Sequence, residues 1–118
     1  MIPPEIIQQS ALQRLEQLGG APFVCEMIDL FLKHVPRRME EAQAGWNARD
    51  LDAVMRATHS IKSSAGNLGA EWLRGICSQL ELLARDQQPD DVALLMPELL
   101  DSFEKTCEKL TQEKDQRK

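Results

Sequence analysis

Six prolines and six glycines punctuate this 118-residue chain, and the intervals between them are made almost entirely of helix formers. Leu, Ala, Glu and Gln supply 48 residues, whereas the β-branched Val, Ile and Thr supply 13. Straight side chains lose little rotamer freedom in a helix, while β-branched ones favour a pleated surface. No stretch alternates apolar and polar residues as a half-buried strand does. The punctuation therefore separates helices, and the periodicity of each interval shows which face it buries.

Pro4 suits a first helical position and Gly19-Gly20 an end. Between them Ile7, Ala11, Leu15 and Leu18 mark one face of a short helix. After Pro22, a longer stripe runs through Val24, Ile28, Phe31, Val35, Ala42 and Trp46, with Met27 and Met39 beside it. Pro36 interrupts that stripe. It lacks an amide hydrogen and crowds the carbonyl four residues back, so a kink is expected near Leu32–Pro36. Gly45 and the polar stretch Asn47–Asp50 end this helix, and Asp50 is a suitable N-cap for the next.

The third segment runs from about Leu51 to Leu68, with Gly69 in the C′ position that favours a left-handed residue. Leu73, Ile76, Cys77, Leu80, Leu83 and Ala84 form the stripe of the fourth. Gln87-Gln88-Pro89 breaks the chain again. Asp90 or Asp91 then caps a last helix carrying Val92, Leu95, Leu99, Phe103 and Leu110, with Pro97 as a kink or restart. The final EKDQRK is polar throughout and is expected to fray.

Short connections favour antiparallel neighbours. The expected fold is all-α: an antiparallel up-down four-helix bundle with an additional short N-terminal helix. Residues 1–20 form the N-terminal helix packed on the bundle, 21–112 the bundle, and 113–118 a polar tail.

Composition removes several classes of function. A formal charge of -5 argues against a general nucleic-acid binder. The three cysteines are odd in number, far apart and set in apolar-periodic stretches, which reads as reduced core or boundary residues of a cytoplasmic protein. His34, His59, Cys25, Cys77 and Cys107 are not at zinc-ligand spacing, so no metal site is expected. The N-terminus has no basic region followed by an apolar stretch, as a signal peptide would. No run approaches the roughly 18 apolar residues of a membrane span.

His34 lies beside the apolar stripe of the second helix with nothing around it to suggest a site. His59 is different. At about 100° per residue, Val54, Ala57, Ile61, Ser64, Ala65 and Leu68 cluster opposite His59 as the core face. Met55, Arg56, Lys62, Ser63 and Gly66 lie on its own side. The imidazole therefore points outward, with a cation one turn ahead and another one turn back. Like charges disfavour protonation, so a neutral ring with a free lone pair is expected. Gly66 costs about 1 kcal/mol relative to alanine in a helix and leaves the surface beside His59 low. Such a nitrogen can take a phosphoryl group while the lysine pairs with its oxygens. An ordinary surface histidine remains the competing reading at this point.

The string His59-Ser60-Ile61-Lys62-Ser63-Ser64-Ala65-Gly66-Asn67-Leu68-Gly69 closely resembles the signature of histidine-containing phosphotransfer (HPt) domains of bacterial phosphorelays. The likeness extends to Phe31-Leu32-Lys33-His34-Val35-Pro36-Arg37-Arg38-Met39, to the Gly69-Ala70-Glu71 junction and to the Leu-rich helix after it. It covers about 90 residues, from Pro22 to Leu110. One position departs: the family usually has Gly after the Lys, where this chain has Ser63.

The resemblance implies reversible transfer between a phospho-aspartate of a response-regulator receiver domain and His59, on the imidazole nitrogen usually found to be Nε2. Lys62 would neutralise phosphoryl charge, with Arg56 assisting. Met55, Arg56, Ser63, Gly66 and Asn67 would meet the partner, a receiver domain or a hybrid sensor histidine kinase. Mg²⁺ would belong to the receiver, leaving this chain without a cofactor. With no Gly-rich phosphate loop, the chain is expected to be a phosphocarrier and not a kinase. A monomer is expected, with Leu32 or Leu82 as points of weak association. Two alternatives stand beside this reading. One is a bundle that binds a receiver or other signalling protein without carrying phosphate. The other is an enzyme using His59 as a general base, which needs a partner acid and a pocket that the spacing does not supply. Along Met55–Gly75 the cations Arg56, Lys62 and Arg74 exceed Glu71 by two, a basic spot suited to an acidic partner.

Overall fold

The computed structural model describes residues 5–118, so the reading of Pro4 as a helix start lies outside the described residues. Four helices follow one another: α1 (Gln9–Asn47), α2 (Leu51–Asn67), α3 (Glu71–Arg85) and α4 (Pro89–Gln116). Each connection is three residues long, which turns every helix back against its predecessor. α2 packs between α1 and α3, and α4 closes the ring against α3 and α1. The result is the antiparallel up-down bundle, 43 × 30 × 20 Å, with no strand among the described residues.

The apolar stripes read from the sequence form its core. Val24, Ile28, Phe31 and Val35 of α1 meet Val54, Ile61 and Ala65 of α2, and Leu73, Leu80, Val92, Leu99 and Leu110 complete the cluster. α1 and α2 come closest at Gly45, where an added Cβ would lie 2.9 Å from the Cβ of Ala53. That glycine is buried inside α1, near its end. The turn that follows is fixed by Asp50, whose carboxylate accepts the amide hydrogen of Ala53 at 3.1 Å. This is the expected N-cap of α2.

The single break in α1 is at Gly20, with φ 76° and ψ -176°, where residues 9–19 meet residues 21–47 at an angle. Only glycine enters that region without steric cost. The expected kink near Leu32–Pro36 is absent: Pro36 sits inside the helix with no non-helical dihedral around it. Proline's own φ is compatible with a helix, so its cost is a missing hydrogen bond and a local clash. Burial of Phe31 and Val35 before it and Ala42 after it holds the two sides in line. Pro97 is likewise carried within α4.

Three further expectations change. Leu18 is 78% exposed, while Leu12 is fully buried. The arm of residues 9–19 meets the bundle through its first turns, and the chain changes direction just after Leu18. Leu32, read as exposed, is half-buried against the core. The terminal EKDQRK does not fray as expected; α4 stays helical to Gln116. There Glu113 is 4% exposed, accepts from Gln9 Nε2 at 2.6 Å and pairs with Arg117 at 2.7 Å. Arg117 also approaches Glu16 at 3.4 Å, tying the arm to the end of α4. Burial alone would raise the Glu113 pKa, but the hydrogen bonds from Arg117 and Gln9 outweigh it and hold the carboxyl below its usual range.

Candidate functional site

His59 sits at the middle of α2, with its side chain 62% exposed. It points away from the core because Val54, Ala57, Ile61 and Ala65 occupy the opposite side of the helix. Thr58, omitted from the core face read from the sequence, is also fully buried; its hydroxyl donates to the Val54 carbonyl at 2.8 Å and so needs no outside partner. Ser63 Oγ donates back to the carbonyl of His59 at 3.3 Å. The one departure from the family motif is thus a small side chain folded onto its own helix.

The histidine is not placed between two cations, as the spacing within α2 alone suggests. Its Nδ1 lies 2.7 Å from Oε1 of Glu81, a residue of α3. The other oxygen of Glu81 accepts from Lys62 Nζ at 2.5 Å. One carboxylate therefore bridges the histidine and the lysine, and both Lys62 and Glu81 are mostly covered, at 29% and 21% side-chain exposure. Burial pushes the Glu81 pKa up, but the hydrogen bonds and charges of Lys62 and His59 outweigh it, so the carboxyl stays below its usual range. An ionised carboxylate is acceptor-only, so the proton in the short contact belongs to Nδ1 of His59. In the neutral ring, Nε2 then carries the lone pair.

The local basic spot changes in the same way. Lys62 is paired with Glu81, and Arg74 with Glu71 at 2.7 Å. Of the three cations counted along this stretch, Arg56 alone keeps an uncompensated charge among the described residues. The partner acid judged missing for general-base chemistry is present, as Glu81. The deep pocket such chemistry needs is not: His59 stands on an open surface.

The remaining residues singled out in α2 are placed as follows. Arg56, Ser63, Gly66 and Asn67 are exposed beside His59, while Met55 is half-buried against the core. A Cβ on Gly66 would meet nothing nearer than Arg74 Cδ at 3.6 Å. No packing inside the chain requires that glycine. Gly69, with φ 71°, is the left-handed residue expected after α2, and it also touches the arm: Gln8 N–H donates to its carbonyl at 2.8 Å. Among the described residues no group of His, Cys, Asp and Glu is arranged to hold a metal ion. Cys77 is fully buried beneath the site, and burial pushes its thiol up to about 12, which leaves it unreactive.

Comparison with known proteins places this geometry in context. A family model described as Hpt domain matches residues 26–113. The sensor protein TorS of Escherichia coli (strain K12) is 32% identical over 80 residues, which is 68% of this chain and 8% of TorS. The phosphorelay intermediate protein rdeA of Dictyostelium discoideum is 25% identical over 81 residues, 69% of this chain and 32% of that protein. The chain thus spans only a minor part of each of these relatives. Among solved structures, histidine-containing phosphotransfer protein B (HptB) from Pseudomonas aeruginosa PAO1 superposes with a TM-score of 0.87 at 23% identity, covering 94% of this chain and 96% of that one. A histidine-containing phosphotransfer protein from rice superposes at 0.76 and 21% identity, covering 95% and 84%. At these identities the superpositions establish a shared fold.

Proposed function

The chain belongs to the Hpt domain family, and from that premise we propose that it is a phosphorelay intermediate whose phosphoryl acceptor is His59. The observation that carries the reading is the division of labour on the imidazole: Nδ1 is held by Glu81 at 2.7 Å, and Nε2 is the nitrogen left for chemistry. The Nε2 lone pair attacks the phosphorus of an aspartyl phosphate on a receiver domain. The N–P bond forms as the bond from phosphorus to the aspartate oxygen breaks, and the aspartate leaves as a carboxylate. The ring keeps its Nδ1 proton and becomes cationic, so no proton has to move. Glu81 then faces a positive ring, which lowers the energy of the phosphorylated state.

Lys62 supplies the second charge. Before transfer it is held by Glu81; once a dianionic phosphoryl group stands on Nε2, the ammonium has a stronger anion within reach of its flexible stem. Transfer of this kind is mainly positioning and charge neutralisation. Mg²⁺ belongs to the receiver in this reading, and no residue of this chain is assigned to it. The chain carries phosphate without making it from a nucleotide. Its partners are receiver domains, free or within a hybrid sensor kinase, and it acts as a cytoplasmic monomer. The names of the rdeA protein and of the HptB structure support the carrier role. No described helix is long and apolar enough to cross a membrane.

The test is incubation with a ³²P-labelled phospho-receiver. The native chain is expected to take up acid-labile, alkali-stable label, and His59→Gln none. A native chain that stays unlabelled with every receiver tried, or a His59→Gln chain that labels normally, overturns the proposal.

A further inference from the structure

The negative charge of this chain is gathered in one place. Residues 89–104 hold Asp90, Asp91, Glu98, Asp101 and Glu104 and no Lys or Arg, which accounts for the whole formal charge of -5. Asp90 and Asp91 stand in the first turn of α4, where carboxylates favour the start of a helix. Asp101 is paired with Lys105. Glu98 and Glu104 are exposed and, among the described residues, have no cation within ion-pair distance. The fold leaves their charge unused.

The same stretch borders an open groove, at the end of the bundle where α1 stops and α4 starts. Gln43 and Trp46 line it from α1, and Ala93, Met96, Pro97 and Leu100 from α4. Leu100 is 48% exposed, and Leu94, one turn before Pro97, is 78% exposed. Ala93, Pro97, Leu100 and Glu104 follow one another at steps of three and four, so the apolar edge runs into a free carboxylate. Glu40, exposed and also without an ion-pair partner among the described residues, stands one turn before Gln43 on the other wall. Pro97 has no amide hydrogen, so the carbonyl of Ala93 in that wall lacks its helical donor. Arg49, a cation at this end, is engaged within its own turn: it lies 3.9 Å over the Trp46 ring and donates to the Trp46 carbonyl at 2.6 Å. These groups suit an occupant that is apolar on one side and carries donors and positive charge beside it.

We propose that the groove between α1 and α4 docks a basic amphipathic helix of a partner protein, its apolar side on Trp46, Pro97 and Leu100 and its Lys or Arg side chains on Glu40, Glu98 and Glu104. Apolar contact supplies affinity, and the carboxylates select against neutral and acidic helices. α2 packs between α1 and α3, and α4 closes the ring opposite it, so an occupied groove leaves His59 open. The groove then acts as a tether, holding the chain beside its donor or acceptor and raising the local concentration of His59. That use rests on the phosphocarrier reading above; the docking itself does not.

The probe is a peptide of leucine and lysine with leucines three and four residues apart, titrated into the ¹⁵N-labelled chain. Amide shifts are expected to concentrate in residues 43–47 and 93–104. The same peptide with glutamate in place of lysine is expected to bind at least about tenfold more weakly. Leu100→Asp and the double variant Glu98→Lys/Glu104→Lys should each weaken binding by about tenfold or more, with unchanged circular dichroism. Glu26→Lys makes the same kind of charge change about 25 Å along α1 from Gln43 and should stay within about twofold. Uptake of label by His59 from a phospho-receiver should be unchanged at saturating peptide. Shifts spread over the whole surface, a Glu26→Lys chain weakened as much as the groove variants, or equal binding of the glutamate peptide overturns the proposal. Self-association of the native chain in sedimentation velocity, abolished by Leu100→Asp, overturns it by giving the groove to a second copy. A peptide that blocks labelling overturns the tether while the docking stands, and a native chain that never takes label removes the phosphocarrier reading alone.

Discussion

At His59 the chemistry depends on a carboxylate that no count along α2 contains. Helical spacing was enough to point the imidazole outward, because the core face of a 17-residue amphipathic helix is unambiguous. It was not enough to describe the ring's surroundings, since Glu81 is 22 residues away and arrives only through the packing of α3 on α2. The available signal was a glutamate on the margin of the α3 stripe, between Cys77 and Ala84. Glu81→Gln keeps a hydrogen-bonding side chain and removes the charge. It is expected to slow phosphorylation of His59 about five- to tenfold, the rate equivalent of roughly 1 kcal/mol from a partly covered ion pair. Lys62→Ala is expected to slow transfer as well, with an unchanged circular dichroism spectrum. Loss of helicity in that variant would contradict the placement of Lys62 on the outer face.

At the scale of the helix, glycines that look alike in the sequence have different tasks. A Cβ on Gly66 would make only an ordinary contact with Arg74, so Gly66→Ala is expected to stabilise the fold by up to about 1 kcal/mol in urea unfolding while slowing transfer from a receiver. A destabilised Gly66→Ala would show that the glycine serves internal packing instead. Gly69 has a positive φ, and a Cβ there would lie 2.6 Å from the Cβ of Ala11. Gly69→Ala is therefore expected to cost at least about 2 kcal/mol by the same measurement. Its left-handed conformation was legible from its place after α2; the contact with the arm was not, because it joins segments far apart in the chain. The proline kink misled for a related reason. Local chemistry sets a cost at Pro36, and the buried residues on both sides of it decide whether the helix bends.

Across the whole molecule, the two ends of the chain are joined by charge. Glu113 is buried and its carboxyl held below the usual range, so its unfolded pKa is the higher of the two. Its contribution is then complete above the ordinary glutamate pKa of about 4.3 and is lost as pH falls through the lower folded value. Glu81 adds an effect of the same sign. Glu113→Gln is expected to cost about 2 kcal/mol at pH 7 and to flatten the acid limb of the stability profile. Equal acid sensitivity in the variant and the native chain would remove Glu113 from that role. The polar composition of this segment hid it, since Glu113 is held by Gln9 of the arm as well as by Arg117 of its own segment. The bundle itself was legible from punctuation and periodicity, which are local, whereas the site's counter-charge and the closure of the termini are products of packing.

The most direct measurement is the ¹H–¹⁵N spectrum of the phosphorylated, ¹⁵N-labelled chain, read for the ring nitrogens of His59. Coupling to phosphorus on Nε2, with Nδ1 still carrying its proton, is the expected result. Phosphorus on Nδ1, or on any residue other than His59, would contradict the assignment of Glu81 as the group that leaves Nε2 free to accept.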